Sequence, residues 1–422
     1  MRVKIFPGRT SEGEVTIPAS KSLSHRVLIS AALAEGTSVL HHVADNQDTE
    51  ATLRCLKALG AGSEKAADGL HITGIRDWSS YEGSVLDCGE SGSTLRFLIP
   101  LAAMTGKVVT FTGHGKLMQR PQSVYEELFR EKGLLFEKKD EFLRVQGPVP
   151  GGEYVLKGDV SSQFITGLLF TLPLAEKDSV IRIIPPYESR SYVLLTEQIL
   201  KGSGITIHDE GLEIRIPGNQ HYRPSERTVE GDDSQAAFFE ALGVISGKPV
   251  CIHGINPESM QGDHAMLDIL RKMGGSLKER DGLVIAEPSV LHGTVIDLEN
   301  CPDLGPVLFA AATQAEGVTK FIHAGRLRIK ESDRIDAMEE ELTKLGAVMH
   351  SEEDSAEISG KTKISGGVVL NGHNDHRIVM ALAVLACNAD SPVTIEGAEA
   401  VSKSYPDFFM DLKKAGVKVE QL

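Results

Sequence analysis

The pattern of apolar and polar residues repeats along the chain. Six amphipathic runs with helical spacing each end at a glycine, and strand-like residues follow each glycine. These glycines recur about every 70 residues and are Gly60, Gly133, Gly204, Gly274, Gly346 and Gly416. Glycine at the end of a helix adopts a left-handed conformation that other residues avoid. The pattern therefore predicts six copies of one α/β repeat.

The first repeat shows the internal plan. The residue pattern predicts strands over 14–17 and 38–43, helices over 21–34 and 49–59, and a closing hairpin. Six such repeats in 422 residues divide into two groups of three. We therefore expect an α/β fold with two similar globular domains.

The loop before the first helix of each repeat has a short polar residue at one register position. These residues are Ser22, Ser93, Ser162, Asp233, Asp303 and Asn374. Such side chains cap helix N-termini, because their oxygens accept hydrogen bonds from unpaired backbone N–H groups. The recurrence is explained either by capping alone or by a shared ligand site. For Asp233 the sequence indicates no role beyond a cap.

Basic residues accompany several of these polar positions. Lys21 and Arg26, Arg96, and Arg377 lie at or just after the predicted helix starts. A cation there is unfavourable unless an anion is bound, because a helix N-terminus already has partial positive charge. The loop before the second helix of several repeats also contains basic residues in a similar register. These residues are Arg120, Arg190, Lys330 and Lys403. The sequence therefore predicts a focused site for a small anion.

Composition narrows the class of partner. The formal net charge is −15, and aromatic residues make up 5% of the chain with a single Trp. Proteins that bind nucleic acid usually have a basic face and aromatic stacking platforms. We therefore expect a phosphate or carboxylate ligand and no nucleic acid partner.

The sequence lacks the usual signals of several other classes of protein. The five cysteines are scattered without C-x-x-C spacing, which argues against disulfides and zinc and favours a reducing compartment. Nucleotide-binding glycine motifs are absent, so we expect no cofactor. The histidine-rich stretch 371–377 lacks H-E-x-x-H spacing, so we expect no metal. Without a signal core or a long apolar run, the chain is expected to be cytoplasmic and to have no membrane partner.

Taken together, the polar motifs resemble the 5-enolpyruvylshikimate-3-phosphate synthase family over essentially the whole chain. The motifs are Lys21-Ser22 with Arg26, Gly92 with Arg96, Arg120-Pro121, Ser161-Ser162-Gln163, Ser189 with Tyr192, Asp303, Lys330-Glu331-Ser332-Asp333-Arg334, Asn374-Asp375-His376-Arg377, and Lys403 with Pro406-Asp407. The 330–334 and 374–377 motifs are specific in combination, whereas Ser-Ser-Gln alone is weak.

The resemblance implies how the repeats are organised. Each domain is expected to be a pseudo-threefold arrangement of three βαβαββ-type repeats, with helices inside and sheets outside. One domain is expected over 14–227, and the other over 1–13 with 228–422. The active site is expected in the cleft between the domains. Separately from the resemblance, we expect the protein to be a monomer.

The resemblance also implies a reaction. The enolpyruvyl group of phosphoenolpyruvate is transferred to the 5-hydroxyl of shikimate 3-phosphate, and phosphate is released through a tetrahedral intermediate. Phosphoenolpyruvate is assigned to Lys21, Gly92, Arg120, Gln163, Arg334, Arg377 and Lys403. Shikimate 3-phosphate is assigned to Lys21, Ser22, Arg26, Ser161, Ser162, Gln163, Ser189, Asp303 and Lys330. Arg suits such ligands, because its guanidinium forms paired charge-assisted hydrogen bonds with phosphate and carboxylate.

Addition of an alcohol to the enol phosphate of phosphoenolpyruvate needs one group to remove the hydroxyl proton and another to protonate the methylene carbon. By resemblance, Asp303 is the expected base and Glu331 the expected acid, and Lys21 is able to act as either. The sequence leaves the division of these roles open. His376 is a further candidate, although a hydrogen-bonding role beside Arg377 suits it better.

One loop departs from the family pattern. Residues Gly89-Glu90-Ser91-Gly92 stand where the family often has Gly-Asn-Ala-Gly, while Gly92 and Arg96 are retained. Glyphosate occupies the phosphoenolpyruvate position in this family and is therefore a candidate inhibitor. The changed loop leaves sensitivity to it open.

Two other functions remain open. A UDP-N-acetylglucosamine enolpyruvyl transferase shares the fold, but its loop has a reactive Cys and its first motif is Lys-Asn. Here residues 113–120 contain no Cys, and Lys21 precedes Ser22. A non-catalytic protein that binds organic phosphates would keep the cations without needing Asp303 or Glu331.

Overall fold

The computed structural model describes all residues from Met1 to Leu422. The chain forms two compact units. Unit I comprises Ala19–Val229, and unit II comprises Met1–Pro18 together with Glu230–Leu422. Each unit contains six α-helices and three four-stranded sheets.

The elements up to residue 228 alternate between strands and helices. The helices are α1 (Lys21–Leu33), α2 (Gln47–Ala58), α3 (Gly92–Ala103), α4 (Ser123–Glu131), α5 (Ser162–Thr171) and α6 (Arg190–Gly202). The strands are β1 (Arg2–Arg9), β2 (Gly13–Thr16), β3 (Thr37–His41), β4 (Gly62–Ala66), β5 (Gly69–Thr73), β6 (Leu86–Asp87), β7 (Val109–Thr112), β8 (Leu135–Lys138), β9 (Leu143–Gln146), β10 (Glu153–Lys157), β11 (Ser179–Ile184), β12 (His208–Asp209), β13 (Glu213–Ile216) and β14 (Glu226–Thr228).

The remaining elements follow the same alternation. The helices are α7 (Asp233–Ile245), α8 (Ala265–Lys272), α9 (Gly305–Ala312), α10 (Arg334–Lys344), α11 (His376–Ala386) and α12 (Phe408–Lys414). The strands are β15 (Val250–His253), β16 (Ser276–Arg280), β17 (Leu283–Glu287), β18 (Val295–Asp297), β19 (Gly317–Ile322), β20 (Val348–Ser351), β21 (Ser355–Gly360), β22 (Val369–Asn371), β23 (Val393–Glu396) and β24 (Val417–Gln421).

The six sheets share one strand order. In the sheet β6-β7-β9-β8, the first two strands are parallel and the hairpin strands β8 and β9 pair antiparallel. The sheets β10-β11-β13-β12 and β18-β19-β21-β20 repeat this order with consecutive strands of a single repeat. The other three sheets keep the order but take one strand from elsewhere in the chain.

Two strands are exchanged between the first and fourth repeats. Strand β2 pairs in parallel with β15, whereas β14 pairs in parallel with β3. The strand predicted at 14–17 as part of the first repeat therefore completes the sheet of the fourth repeat, in unit II. For this reason the compact units begin and end at Pro18/Ala19 and Val229/Glu230, while the sequence analysis placed the boundaries at 13/14 and 227/228.

The N-terminal strand β1 lies in the sheet of the sixth repeat. The strand order there is β22-β23-β1-β24, and β1 is antiparallel to both of its neighbours. The sixth repeat contributes only one strand, β24, after its second helix, so β1 supplies the strand that a hairpin supplies elsewhere.

The repeat pattern predicted from the sequence is confirmed. All six closing glycines have positive φ, between 67° for Gly133 and 110° for Gly60. The elements of the first repeat begin and end within about two residues of their predicted bounds, which is the usual uncertainty of such bounds. The predicted α/β class with three repeats in each half is likewise confirmed.

The first helix of each repeat lies at the centre of its unit. Every residue of α9 and of α11 is buried, as expected for helices that are apolar on all sides. The second helices bury one face only, and strands such as β10 alternate between buried and exposed residues. The predicted arrangement of helices inside and sheets outside is therefore present in each unit. None of the helices has the length and apolar character required to cross a membrane.

Candidate active site

The central helices are capped by residues other than those at the recurring register position. The capping side chains are Ser20, Ser91, Ser161, Asp232 and Asp375. Ser22, Ser93, Ser162 and Asp233 instead lie in the first turn of their helices, and α9 has no side-chain cap at all. Capping alone is therefore the wrong explanation for the recurrence, and Asp233 is not a cap.

In unit I, hydrogen bonds link the N-termini of α3 and α5. Arg96 Nη1 donates to Gln163 Oε1 at 2.8 Å, and Gln163 Nε2 donates to Ser93 Oγ at 3.0 Å. Arg96 Nη2 also donates to the carbonyl of Pro121, the residue after Arg120. These bonds fix the amide of Gln163 beside the start of α3.

Gly92 is the residue around which this group packs. A Cβ built at Gly92 would lie 2.8 Å from Arg120 Nη1 and 3.6 Å from Gln163 Oε1. Arg120 is itself only 9% exposed. Three residues assigned to phosphoenolpyruvate, namely Gly92, Arg120 and Gln163, are therefore adjacent, and only glycine leaves room for the guanidinium.

Arg26 joins α1 to α6. Its Nε donates to Thr196 Oγ1, and its Nη1 and Nη2 donate to the carbonyls of Ser22 and Tyr192. Its guanidinium lies over the ring of Phe97 at 5.2 Å. Burial lowers the pKa of Arg26 to about 10, which still leaves it charged at neutral pH. Arg26 therefore organises the helix starts, whatever contact it makes with a ligand.

Lys21 begins α1 and has a carboxylate partner that the sequence analysis missed. Its Nζ lies 3.0 Å from Asp48 Oδ2, and both side chains are mostly buried. Asp48 is in the first turn of α2, where an acidic residue also complements the helix dipole. The only sequence signal for this role of Asp48 was that an acidic residue stands at the start of a helix.

Two further parts of unit I present serine hydroxyls at helix starts. Ser161 caps α5 and Ser162 is its first residue. Ser189 precedes α6 with a left-handed backbone, φ 53°, and is 1% exposed. Backbone N–H groups and hydroxyls together favour phosphate binding.

In unit II, Asp303 accepts hydrogen bonds from three cations. Its Oδ1 lies 3.1 Å from Lys330 Nζ and 3.0 Å from Arg334 Nη1, and its Oδ2 lies 3.0 Å from Arg377 Nη2. The side chain of Asp303 is 20% exposed, so solvent or a ligand can still reach it. Three of the four cations predicted to bind ligand in unit II are thus gathered on one carboxylate.

Arg334 is the centre of this network and is 1% exposed. It contacts Glu331 through Nη2 at 2.7 Å and Asp375 through Nε at 2.8 Å. Burial by itself would lower the pKa of Arg334, but Asp375, Glu331 and Asp303 outweigh it and raise the pKa above the ordinary value. Arg334 is therefore a permanent cation in a buried position.

Burial acts in opposite directions on two neighbours of Arg334. Burial would raise the pKa of Asp375, but the charge of Arg334 overrides it and holds the pKa below its ordinary value. Burial lowers the pKa of Lys330, and the charge of Asp303 offsets that effect only in part. Lys330 therefore loses its proton more readily than an exposed lysine does.

Asp375 belongs to this network, although the sequence analysis placed it in a motif without giving it a role. It caps α11 by accepting from Arg377 N at 2.9 Å, and it accepts from Ser332 Oγ at 3.1 Å. The side chain is fully buried. Its place in the Asn-Asp-His-Arg motif was the only signal of a role.

The fourth repeat contributes to the site through Ser234. Arg377 Nη2 donates to Ser234 Oγ at 3.0 Å, and Ser234 is hydrogen-bonded to the cap Asp232. Asp233 points to a different partner, since its Oδ2 lies 3.0 Å from His264 Nδ1. The repeat to which no ligand role was assigned therefore holds Arg377 in place.

The remaining predicted residues of unit II lie close to this group. Lys403 Nζ donates to the carbonyl of Asn374 at 2.6 Å. His376 is 1% exposed, and its Nδ1 lies 3.9 Å from Asp375 Oδ1. Lys403 and Arg377 are therefore positioned by consecutive residues of one motif, 374–377.

The fold and the site together define a class of protein. Each unit repeats one α/β plan three times, and cations and hydroxyls gather at the N-termini of its central helices, an arrangement suited to small organic anions. The chain belongs to the EPSP synthase (3-phosphoshikimate 1-carboxyvinyltransferase) family, whose model matches residues 6–412. The family suggested by the sequence motifs is thus confirmed.

Individual relatives agree with this assignment. The chain is 44% identical to the 3-phosphoshikimate 1-carboxyvinyltransferase of Clostridium kluyveri over 413 residues, covering 97% of this chain and 96% of the relative. It is 43% identical to the corresponding protein of Clostridium novyi, covering 99% and 98%.

Solved structures show the same fold. The EPSP synthase from Acinetobacter baumannii superposes over the whole of both chains with a TM-score of 0.81 and 28% identity. The enolpyruvyl transferase NikO from Streptomyces tendae gives a TM-score of 0.81 at 17% identity, covering 99% of this chain and 98% of that one. The second likeness supports the fold alone.

Proposed function

We propose that this protein transfers the enolpyruvyl group of phosphoenolpyruvate to the 5-hydroxyl of shikimate 3-phosphate and releases phosphate. Family membership over nearly the whole chain supports the reaction. The observation that carries the proposal is the Asp303 carboxylate, which Lys330, Arg334 and Arg377 surround at 3.0 to 3.1 Å. Neighbouring cations favour the ionised form of a carboxylate, which is the form that a general base needs.

Both units contribute to the proposed reaction. In unit I, Lys21, Gly92, Arg120 and Gln163 would hold phosphoenolpyruvate, and the adjacency of Gly92, Arg120 and Gln163 supports this assignment. In unit II, the phosphoenolpyruvate residues would be Arg334, Arg377 and Lys403. Shikimate 3-phosphate would be held by Lys21, Ser22, Arg26, Ser161, Ser162, Gln163, Ser189, Asp303 and Lys330.

The proposed chemistry is an addition followed by an elimination. Asp303 removes the proton of the 5-hydroxyl while that oxygen bonds to the substituted carbon of phosphoenolpyruvate. Glu331 gives its proton to the methylene carbon, which becomes a methyl group in the tetrahedral intermediate. The methyl group then returns a proton to Glu331 as the carbon–oxygen bond to phosphate breaks, and Asp303 passes its proton to the departing phosphate.

Glu331 needs a proton for this role, although Arg334 Nη2 donates to it at 2.7 Å. The phosphate and carboxylate of bound phosphoenolpyruvate would compete for the charge of Arg334 and weaken its hold on the Glu331 anion. Lys21, paired with Asp48 at 3.0 Å, is the alternative proton donor.

The test is release of inorganic phosphate from phosphoenolpyruvate, measured with shikimate 3-phosphate, with UDP-N-acetylglucosamine and with neither. We expect release only with shikimate 3-phosphate. Release that depends on the UDP-sugar would favour the sister transferase, and release that is independent of an acceptor would exclude both transferases.

The variant Asp303→Asn separates catalysis from binding. It keeps the size of the side chain but removes the base, so turnover should fall by about a thousandfold, within the range for a general base. Shikimate 3-phosphate should still bind, as calorimetry would show. Full activity in this variant would reject Asp303 as the base of the reaction.

Three further statements belong to the same proposal. Glyphosate is proposed to compete with phosphoenolpyruvate, because it offers a similar pair of anionic groups. The protein is proposed to act as a monomer in the cytoplasm. Inhibition kinetics and light scattering test the first two.

A further inference from the structure

Two consecutive residues before α11 have left-handed backbones. The φ angles of His373 and Asn374 are 49° and 53°. Nowhere else in the chain do two adjacent non-glycine residues adopt this conformation. It is unfavourable for residues with a Cβ and persists only where the surroundings hold it. We call residues 371–375, which contain this pair, the pre-α11 turn.

The carboxylate of Glu341 holds the pre-α11 turn. Its Oε2 accepts from the backbone N–H of Asn371 at 3.0 Å, and its Oε1 lies 2.8 Å from His373 Nε2. Lys344 Nζ donates to the same Oε1 at 2.8 Å. The Glu341 side chain is fully buried, so these three donors replace the water that the carboxylate has lost.

Helix α10 contacts the turn at two points. Arg334 begins α10 and binds Asp375, while Glu341 lies on the same face about two helical turns later and binds Asn371 and His373. Asn371, His373 and Asp375 are therefore all attached to one rigid element, the helix α10. The left-handed pair between them has little freedom.

The conformation of the turn decides where two functional groups lie. The carbonyl of Asn374 accepts from Lys403 Nζ at 2.6 Å. The next residue, Asp375, caps α11 and accepts from Arg334. A change of φ at Asn374 would rotate this carbonyl and move the ammonium group that it holds.

A metal-ion role for the same residues fits the geometry less well. Glu340, Glu341 and His373 lie close enough to share an ion. The ammonium group of Lys344 already lies 2.8 and 2.9 Å from carboxylate oxygens of Glu341 and Glu340, so it occupies the place of a cation. Glu341 and His373 therefore have a structural partner without a metal.

We propose that Glu341 and His373 are positioning residues for phosphoenolpyruvate, acting through the Asn374 carbonyl on Lys403. They touch neither substrate in this proposal. The inference rests on the proposed function, in which Lys403 binds phosphoenolpyruvate. It adds residues outside the assigned binding set and explains why the left-handed pair stands immediately before α11.

The first test compares Glu341→Gln and His373→Ala with a matched control, Glu340→Gln. Glu340 is the adjacent residue, also contacts Lys344, and is 57% exposed. We expect the KM for phosphoenolpyruvate to rise about tenfold in the first two variants, as for one lost hydrogen bond to a charged group. The kcat and the KM for shikimate 3-phosphate should stay within about twofold of wild type in all three variants, as expected for an effect on one ligand only.

An unchanged KM for phosphoenolpyruvate, or an equal rise for both substrates, would overturn the proposal. Should Glu341→Gln fail to fold, His373→Ala still decides, because its ring is 21% exposed and its loss leaves Glu341 with two donors. His373→Gly is a further check. It relieves the left-handed strain but lacks the ring, so its KM should rise as in His373→Ala.

The second test asks whether the effect passes through Lys403. In a Lys403→Ala background, Glu341→Gln should raise the KM for phosphoenolpyruvate by less than about twofold, because coupled residues are not additive. A full tenfold rise in that background would show that Glu341 acts by another route.

A third measurement is independent of catalysis. Amide hydrogen exchange of the 371–377 segment should be faster in Glu341→Gln than in Glu340→Gln, since the Asn371 N–H loses its charged acceptor. Equal exchange in the two variants would overturn the positioning role even if the transferase reaction stands. Faster exchange in a protein that releases no phosphate would reject the proposed function and retain the role of Glu341 in the turn.

Discussion

Arg334 and Asp375 form an ion pair that is almost completely buried. Arg334 Nε donates to Asp375 Oδ2 at 2.8 Å, and the two side chains are 1% and 0% exposed. Asp375 also caps α11 and accepts from Ser332. One carboxylate therefore joins the start of α10 to the start of α11, where the proposed phosphoenolpyruvate residues lie.

Asp375→Asn should destabilise the protein strongly, because it leaves the Arg334 charge without its most deeply buried partner. We expect a loss of about 3 kcal/mol in the free energy of unfolding, as for a broken buried pair. Urea unfolding followed by circular dichroism measures it. Asp140→Asn, at an exposed position, should change the value by less than about 0.5 kcal/mol. Equal values for the two variants would contradict the prediction.

Acid should weaken the same contact. The pKa of Asp375 is lowered in the folded protein, because Arg334 overrides the effect of burial. A carboxyl with a lowered pKa stabilises the fold above its unfolded pKa of about 3.9, and this contribution is lost as the pH falls through the folded value. The free energy of unfolding should therefore decline below about pH 4, with a shallower decline in Asp375→Asn. Parallel pH profiles for the two proteins would be the contrary result.

Gly92→Ala should impair binding of phosphoenolpyruvate without unfolding the protein. The new Cβ would lie 2.8 Å from Arg120 Nη1, the far end of a flexible side chain that can move away. Gly92 has no positive φ, so the backbone accepts alanine. We expect the KM for phosphoenolpyruvate to rise at least tenfold, equivalent to about 1.4 kcal/mol, with little change in thermal stability. Steady-state kinetics check this, and an unchanged KM would show that Arg120 does not act at this position.

Ser234→Ala tests the contribution of the fourth repeat. It removes the hydroxyl that accepts from Arg377 Nη2 at 3.0 Å, while the two contacts of Arg377 with Asp303 remain. A lost hydrogen bond to a charged group is worth about 1.5 kcal/mol, so the KM for phosphoenolpyruvate should rise roughly tenfold. His264→Ala removes a partner of Asp233 rather than of Arg377 and is the matched control, with an unchanged KM. Equal effects of both would mean that the fourth repeat acts through general stability.

The elements and the repeat were predictable because their signals are local. Each closing glycine follows a helical run within the same few residues, and all six have positive φ in the structure. The motif residues that gather at the helix N-termini, such as Arg334 and Arg377, were likewise recognisable from adjacent residues. Their assignment to the substrates remains a prediction.

The strand exchange could not be predicted from the repeat pattern. Strands β2 and β14 each precede a central helix, and either could pair with β3 or with β15 in a parallel register. The spacing between each of these strands and the helix that follows it does not distinguish the two possible pairings. Only the packing of the complete chain selects the partner, which is why the predicted and observed boundaries differ at residues 14–18 and 228–229.

By itself, the sequence determined six α/β repeats, their left-handed glycines and the family to which the chain belongs. The tertiary structure decided which side chains hold the cations. Asp375 lies 41 residues along the chain from Arg334, and Ser234 lies 143 residues from Arg377. Hydrogen bonds form between groups within about 3 Å in space, and residue type alone does not reveal which distant groups folding brings that close.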